Sequence, residues 1–265
     1  MLDQYANQAS GLMGLGCQSG PKMVAMVSHG DEHAELPLLW QLCLSWVQLG
    51  YSVTVLDGTT NESDANPGLE QLLTNTRWPD EEASAMPAWT VIPSAKGIQK
   101  LCADPNTRLQ QLRHMVAPEG VLAIYCNADC MSTLLGDWSA EPLLAVSSTQ
   151  TSVLTSYMAL KRLLITGKLK PTIIHMLHES KFHPGATAVQ TSSGLVACAK
   201  RFLGYECKAL NIQAPHNDSQ PSAEIQCLAL RLLENSMTLS ATDVPSKGMN
   251  RLTQLRRFDQ FAESH

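Results

Sequence analysis

The sequence predicts a single α/β domain built on a doubly wound, mostly parallel sheet with helices on both faces. Three observations carry that prediction. Short apolar runs recur along the chain, among them MVAMV at 23–27, VLAIYC at 121–126 and PTIIHML at 171–177. Their continuous apolar character marks strands covered on both faces. Stretches of helical periodicity separate them, the alternation that builds a parallel sheet. Of the 265 residues, 44% are hydrophobic and 16% charged, a composition that suits a folded domain and excludes wholesale disorder.

The elements follow in order. Residues 1–22 are polar and Gly-rich and read as an N-terminal arm, with room for a short helix over 3–13. The strand 23–27 runs into the polar segment SHGDEHAE, and a helix is predicted over 35–49 from the spacing of Leu38, Leu39, Leu42, Trp46 and Val47. Gly50 fits the position just past its end. A strand over 52–56 ends at Asp57. Residues 58–88 are rich in Asn, Pro, Asp and Glu and read as an irregular excursion with one short helix at 67–75. Strands are then predicted at 89–93, 121–126, 142–148, 171–177 and 207–212, with helices at 106–116, 150–166, 185–203 and 221–235. A linker over 238–248 leads to a helical tail at 249–263. The organisation is therefore an arm (1–22), an α/β body (23–237), and a linker with a C-terminal helix (238–265).

Net charge is -5, so the chain as a whole has no attraction for nucleic acid, and none is expected as a partner. Eight cysteines are present. Several sit in apolar runs such as LCLSW, where a reduced thiol behaves as a small hydrophobe. No signal-peptide pattern opens the chain, and no apolar run approaches the ~20 residues needed to cross a bilayer. The expected setting is a reducing cytoplasm.

Three stretches resemble the MinD/ParA family of P-loop ATPases, and within it the flagellar-number regulators of the FlhG type (YlxH, FleN). NQASGLMGL (7–15) is similar to the DQAxxLR motif of the FlhG arm. MVAMVSHG…LLWQLCLSWVQLGYSVTVLDG (23–58) matches the family's first strand, phosphate loop, helix, second strand and switch aspartate in register. LLAVSSTQTSVLTSYMALKRL (143–163) resembles a later strand and helix.

The phosphate loop departs from that pattern. In the family's register the loop lysine becomes Glu35, the magnesium-binding hydroxyl becomes Leu36 and the second lysine becomes Gly30. Asp31, Glu32 and Glu35 are expected to face the position of the triphosphate. Two unit charges ~4 Å apart repel by roughly 4 kcal/mol at an effective dielectric of 20. The strand 121–126 leads into Asn127-Ala128-Asp129 in place of Asp-x-Pro-x-Gly. The adenine-reading asparagine becomes His175, and only Asp57 survives. The resemblance and its departures imply a pseudo-ATPase with a degenerate nucleotide site at Gly30, Glu35, Leu36, Asp57 and His175, and with no cofactor.

The glycines of 14–22 precede the first strand and include Pro21, which lacks an N–H, so they make a poor phosphate site. Cys126, Cys130, His175, His178 and His183 do not combine into a recognised zinc spacing, and no metal is expected. Ser28, His29 and Asp31 are adjacent in sequence without the G-x-S-x-G of a hydrolase.

The two ends carry the expected partners. The resemblance implies that the arm docks an FlhF-like SRP-type GTPase through Gln8, Ala9, Gly11 and Leu12. In the tail, Met249, Leu252, Leu255, Phe258 and Phe261 recur every three residues between Lys247, Arg251, Arg256 and Arg257. That pattern fits an interfacial helix on an anionic membrane, and equally a terminal helix packed on the body. The expected function is a non-catalytic regulator of flagellar or polar-organelle assembly, in the cytoplasm or peripheral at the inner membrane or cell pole. The alternatives are a divergent MinD/ParA-type ATPase switch and a structural partner of another machine, such as cellulose synthesis. The family dimer is closed by ATP, so loss of ATP implies a monomer or a different interface.

Overall fold

The computed structural model describes residues 20–74, 88–103, 108–136, 138, 140–177, 186–213 and 220–239. Eight strands and eight α-helices follow one another among these residues: β1 (Lys22–Ser28), α1 (Glu32–Gln48), β2 (Val53–Asp57), α2 (Leu69–Thr74), β3 (Trp89–Pro93), α3 (Ala95–Ala103), α4 (Arg108–Leu112), β4 (Val121–Asn127), α5 (Ala128–Leu135), β5 (Leu143–Val146), α6 (Gln150–Arg162), β6 (Thr172–Leu177), α7 (Ala186–Leu203), β7 (Lys208–Gln213), α8 (Ala223–Asn235) and β8 (Met237–Thr238). Arg113–Met115 continues α4 as a 3₁₀ turn, and Leu163–Gly167 ends α6 as a π turn.

The strands lie in the order β3-β2-β4-β1-β5-β6-β7, all parallel, and β8 adds antiparallel beside the start of β1. This is the mostly parallel, doubly wound sheet the strand pattern predicts. Val24, Met26, Val55, Ala123 and Ile174 face α1 and α8, while Ala25, Val27, Leu122, Ile124 and Ile173 face the layer containing α3, α5 and α6. Side-chain alternation along each strand thus feeds two separate cores. Trp46 is fully buried and ties α1 to α8, donating from Nε1 to the Ala229 carbonyl at 3.1 Å. Asn127, Thr149 and Ser222 cap α5, α6 and α8 by accepting from the N–H three residues on.

The structure differs from the sequence reading in five places. Helix α1 begins at Glu32, three residues earlier than expected, and carries Pro37 inside it. Helices α3 and α5 fall where no helix is predicted. Helix α3 holds Gly97, whose added Cβ would meet Leu69 at 2.5 Å, so a helix-weakening residue is needed for close packing on α2. Helix α5 starts immediately after β4, with the single cap residue Asn127 as the only polar break. The body also exceeds the boundaries drawn at 22/23 and 237/238. Lys22 opens β1, and Thr238 and Leu239 are buried, with the Leu239 N–H donating to the Pro21 carbonyl at 3.0 Å.

Candidate functional site

The chain runs from β1 out to β3, returns to place β4 beside β1, and then crosses to β5 on the other side. The strand order therefore reverses at β1. In open α/β sheets, ligands bind at this switch point, outside the carboxyl ends of the strands. The β1–α1 loop (Ser28–Asp31), the end of β4 and the β5–α6 loop surround it.

Glu35 sits at the centre of this region. It lies one turn into α1 with its side chain directed back at the loop, and it is fully buried. Its Oε1 accepts the backbone N–H of His29 at 2.9 Å and of Asp31 at 3.0 Å. Its Oε2 accepts the Tyr125 hydroxyl at 2.5 Å. The arrangement is an internal form of the anion site found at helix N-termini, where loop N–H groups converge and the helix dipole favours negative charge. Here a side chain supplies the anion. Burial, and then the Glu35 carboxylate, push the Tyr125 phenol far above its usual pKa, which keeps it a donor.

The His29 ring, 2% exposed, closes the loop against the other half of the sheet. Its Nε2 lies 2.6 Å from the Ala145 carbonyl, which can only accept, so Nε2 is the donor. Its Nδ1 lies 2.8 Å from the Thr155 hydroxyl. Asp31 accepts the Ser147 N–H at 3.1 Å. Burial is the largest influence on Asp31 and raises its pKa, but hydrogen bonds from Ser152 and Ser147, with His29 nearby, outweigh it and hold the carboxyl below its ordinary value.

These positions revise the expected arrangement of the loop. Asp31, Glu32 and Glu35 do not stand side by side before an open cradle. Glu35 points inward, Asp31 is tied to the β5–α6 loop, and only Glu32 is exposed. Leu36 is 45% exposed and lies away from the Glu35 network. Gly30 turns the loop with a positive φ of 93° in open space.

Asp57 ends β2, half-buried. Thr59 donates its N–H (2.9 Å) and hydroxyl (2.6 Å) to Asp57 Oδ1, and the Thr60 hydroxyl donates to Oδ2 at 2.6 Å. His175 does not end its strand; β6 continues to Leu177. The His175 ring is fully buried, finds no hydrogen-bond partner among the described residues, and has its pKa lowered by burial.

The arm positions Gln8, Ala9, Gly11 and Leu12 and the tail positions Met249, Leu252, Leu255, Phe258 and Phe261 lie outside the described residues, as do His178 and His183. Among the described residues, no group of three or more His, Cys, Asp or Glu side chains is placed to hold a metal ion, and no helix is long and apolar enough to cross a membrane.

Sequence reasoning missed the partners that close the loop: His29, Tyr125, Ser147, Ser152 and Thr155. One signal was legible, a glutamate four residues after Asp31 that can reach back over the first turn. Beside the loop, a surface groove of about 660 Å³ is lined by His29, Asp129, Thr155, Lys161 and Arg162. Along α6 the side chains of Leu154, Met158 and, past its end, Ile165 are more than half exposed, and so is Phe202 on α7.

The fold is that of the MinD/ParA-type P-loop ATPases. The chain is similar to the MinC:MinD cell division protein complex of Aquifex aeolicus, with a TM-score of 0.51 and 14% identity over 83% of this chain and 98% of that one. It is also similar to an ATP complex of a McdA variant from Cyanothece, with a TM-score of 0.50 and 12% identity over 81% and 89%. At these identities the similarity is one of fold. No family model matches the chain, and no curated protein is similar to it in sequence.

Proposed function

We propose that this protein is a non-catalytic regulator on a MinD/ParA-type fold, which acts by binding partners and turns over no ATP. One observation carries the reading. The Glu35 carboxylate takes the loop N–H groups of His29 and Asp31 that a phosphate would need. A nucleotide would have to displace a buried, three-bonded carboxylate and bring its own charge to the same place. The lysine that neutralises that charge in a P-loop is the residue replaced by Glu35. Isothermal calorimetry with magnesium-ATP and magnesium-ADP is expected to show no binding, and micromolar affinity overturns the reading.

The finer assignment rests on the sequence resemblance. The protein is an FlhG-like regulator of flagellar or polar-organelle assembly. Its arm, with Gln8 at the working point, docks an FlhF-like GTPase, and its C-terminal helix meets an anionic membrane. A glutamine amide both donates and accepts, so it can orient an attacking water without adding charge. The exposed apolar strip of Leu154, Met158 and Ile165 supports protein binding, since soluble domains seldom leave such strips uncovered. Two truncations test this. Removing 1–19 is expected to abolish stimulation of GTP turnover by an FlhF-type protein. Removing 249–265 is expected to lower sedimentation with anionic vesicles without lowering the melting temperature. Unchanged turnover retires the arm, and early melting makes the tail core packing.

The second reading, a divergent ATPase switch, is favoured by Asp57 at its family position and by Lys161 in the groove beside the loop. The calorimetry decides between the two. A structural role in another polar or secretion machine is separated from the flagellar role by the genes that neighbour this one.

A further inference from the structure

Cys130 and Cys102 face each other between two helices of one layer. Cys130 is the third residue of α5, partly exposed, with its N–H held by the Asn127 side chain at 2.9 Å. Cys102 lies near the end of α3, also partly exposed, and its thiol donates to the Cys130 carbonyl at 3.7 Å. No disulfide joins the two. Cys130 stands in the first turn of a helix, where the unpaired N–H groups favour a thiolate.

We propose that Cys130 is a site of reversible modification by small disulfides, with Cys102 as its resolving partner and a disulfide between α3 and α5 as the product. The Cys130 thiolate attacks one sulfur of a disulfide such as oxidised glutathione. A Cys130–glutathione bond forms as the first glutathione thiolate leaves. The Cys102 sulfur, losing its proton, then attacks the Cys130 sulfur and expels the second glutathione. Two protein thiols are oxidised, one small disulfide is reduced to two thiols, and the two protons pass to the leaving groups. Nothing in this depends on whether the chain binds nucleotide.

The other cysteines show why this pair stands out. Cys126 is fully buried, and burial pushes its thiol far up; Cys43, also fully buried, is raised to about 12. Cys130 moves the other way, from 9.0 to about 7, chiefly through the Cys102 thiol beside it. Burial opposes the shift, Asn127 adds to it, and the nearby Asp129 charge works against it. Asp129 is itself paired with Arg162. A lowered pKa raises the thiolate fraction at neutral pH by more than the accompanying loss of basicity lowers its nucleophilicity. Exposed Cys198 and Cys227 serve as internal controls.

The test uses the folded full chain carrying Cys17→Ser, which removes the one cysteine outside the described residues. Iodoacetamide labelling, read by peptide mass spectrometry across pH, is expected to give Cys130 a midpoint near 7, well below those of Cys198 and Cys227. Oxidised glutathione is expected to yield a Cys102–Cys130 linked peptide, with a persistent Cys130–glutathione adduct in both Cys102→Ser and Cys102→Ala, and an unchanged product in Cys126→Ser. A shared midpoint for the three thiols, no linkage in the parent protein, or a Cys126–Cys130 linkage overturns the assignment.

Discussion

Two buried glutamates at the carboxyl end of the sheet do similar electrostatic work in different settings. Glu35 is fully buried in the first turn of α1, its carboxylate turned back on the β1–α1 loop at the switch point of the sheet. Glu62 is 1% exposed in the excursion after β2. Glu62 accepts the N–H groups of Lys96 (2.7 Å), Gly97 (2.8 Å) and Glu70 (3.3 Å), so a single carboxylate caps the starts of both α2 and α3. Glu35 caps one helix and adds a hydroxyl from a strand 90 residues away in sequence. The comparison teaches that convergent N–H groups demand an anion whatever its source. Glu62 meets that demand with a structural cap. Glu35 meets it at the switch point, where open α/β sheets bind their ligands.

The largest expected effect is at Glu35. Glu35→Ala leaves two loop N–H groups and the Tyr125 hydroxyl without their acceptor, and each unsatisfied buried group costs roughly 1–3 kcal/mol. A loss of about 4 kcal/mol is expected, which for a domain of this size lowers the melting temperature by about 10 °C. Glu35→Gln, which keeps one acceptor oxygen, falls between. Thermal and urea unfolding measure both. A Glu35→Ala protein as stable as the parent would mean that water or an anion fills the site readily, which favours the switch reading.

At Glu62 the expected loss for Glu62→Ala is about 3 kcal/mol, from the same unpaired N–H groups on two helices. Its pH dependence has a definite sign. Burial, the largest single influence, raises the Glu62 pKa, but the backbone N–H groups outweigh it and the folded value lies below 4.5. A depressed acid stabilises the fold above its unfolded pKa, and that contribution disappears as pH falls through the folded value. Parent stability therefore declines as pH drops below about 4.5. Glu62→Gln starts lower and declines less over the same range. Parallel curves for the two proteins would remove Glu62 from the acid response.

The sheet was legible because its central strands are covered on both faces and read as unbroken apolar runs, VLAIYC above all. Helix α5 was hidden beside that run, since it begins at Ala128, with only its cap Asn127 between. Helix α3 was hidden by Gly97, which the tight packing on Leu69 requires. The loop's departure from the P-loop pattern was visible in Glu35 and Leu36 as residue types. The direction of the Glu35 side chain was not, because Tyr125 lies far along the chain and His29 finds its acceptors at Ala145 and Thr155. Spacing along one segment reports what a local turn can satisfy; it carries no information on a network assembled from three strands.

Asp57, at the end of β2, extends the comparison to an acid that is only half-buried. Its oxygens are occupied locally by Thr59 and Thr60, in a turn that closes on itself two and three residues on. Such side-chain turns stabilise loops modestly, and water reaches this one, so Asp57→Ala is expected to cost about 1 kcal/mol. In an ATPase switch the same residue would face the metal and phosphate, and removing it would abolish nucleotide response while leaving the fold intact. The two readings therefore separate cleanly here. The substitution should leave stimulation of the FlhF-type GTPase proposed as partner within about twofold of the parent. A loss of tenfold or more, in a variant that melts within a few degrees of the parent, would show that the end of β2 is part of a working site and that Glu35 closes only one state of it.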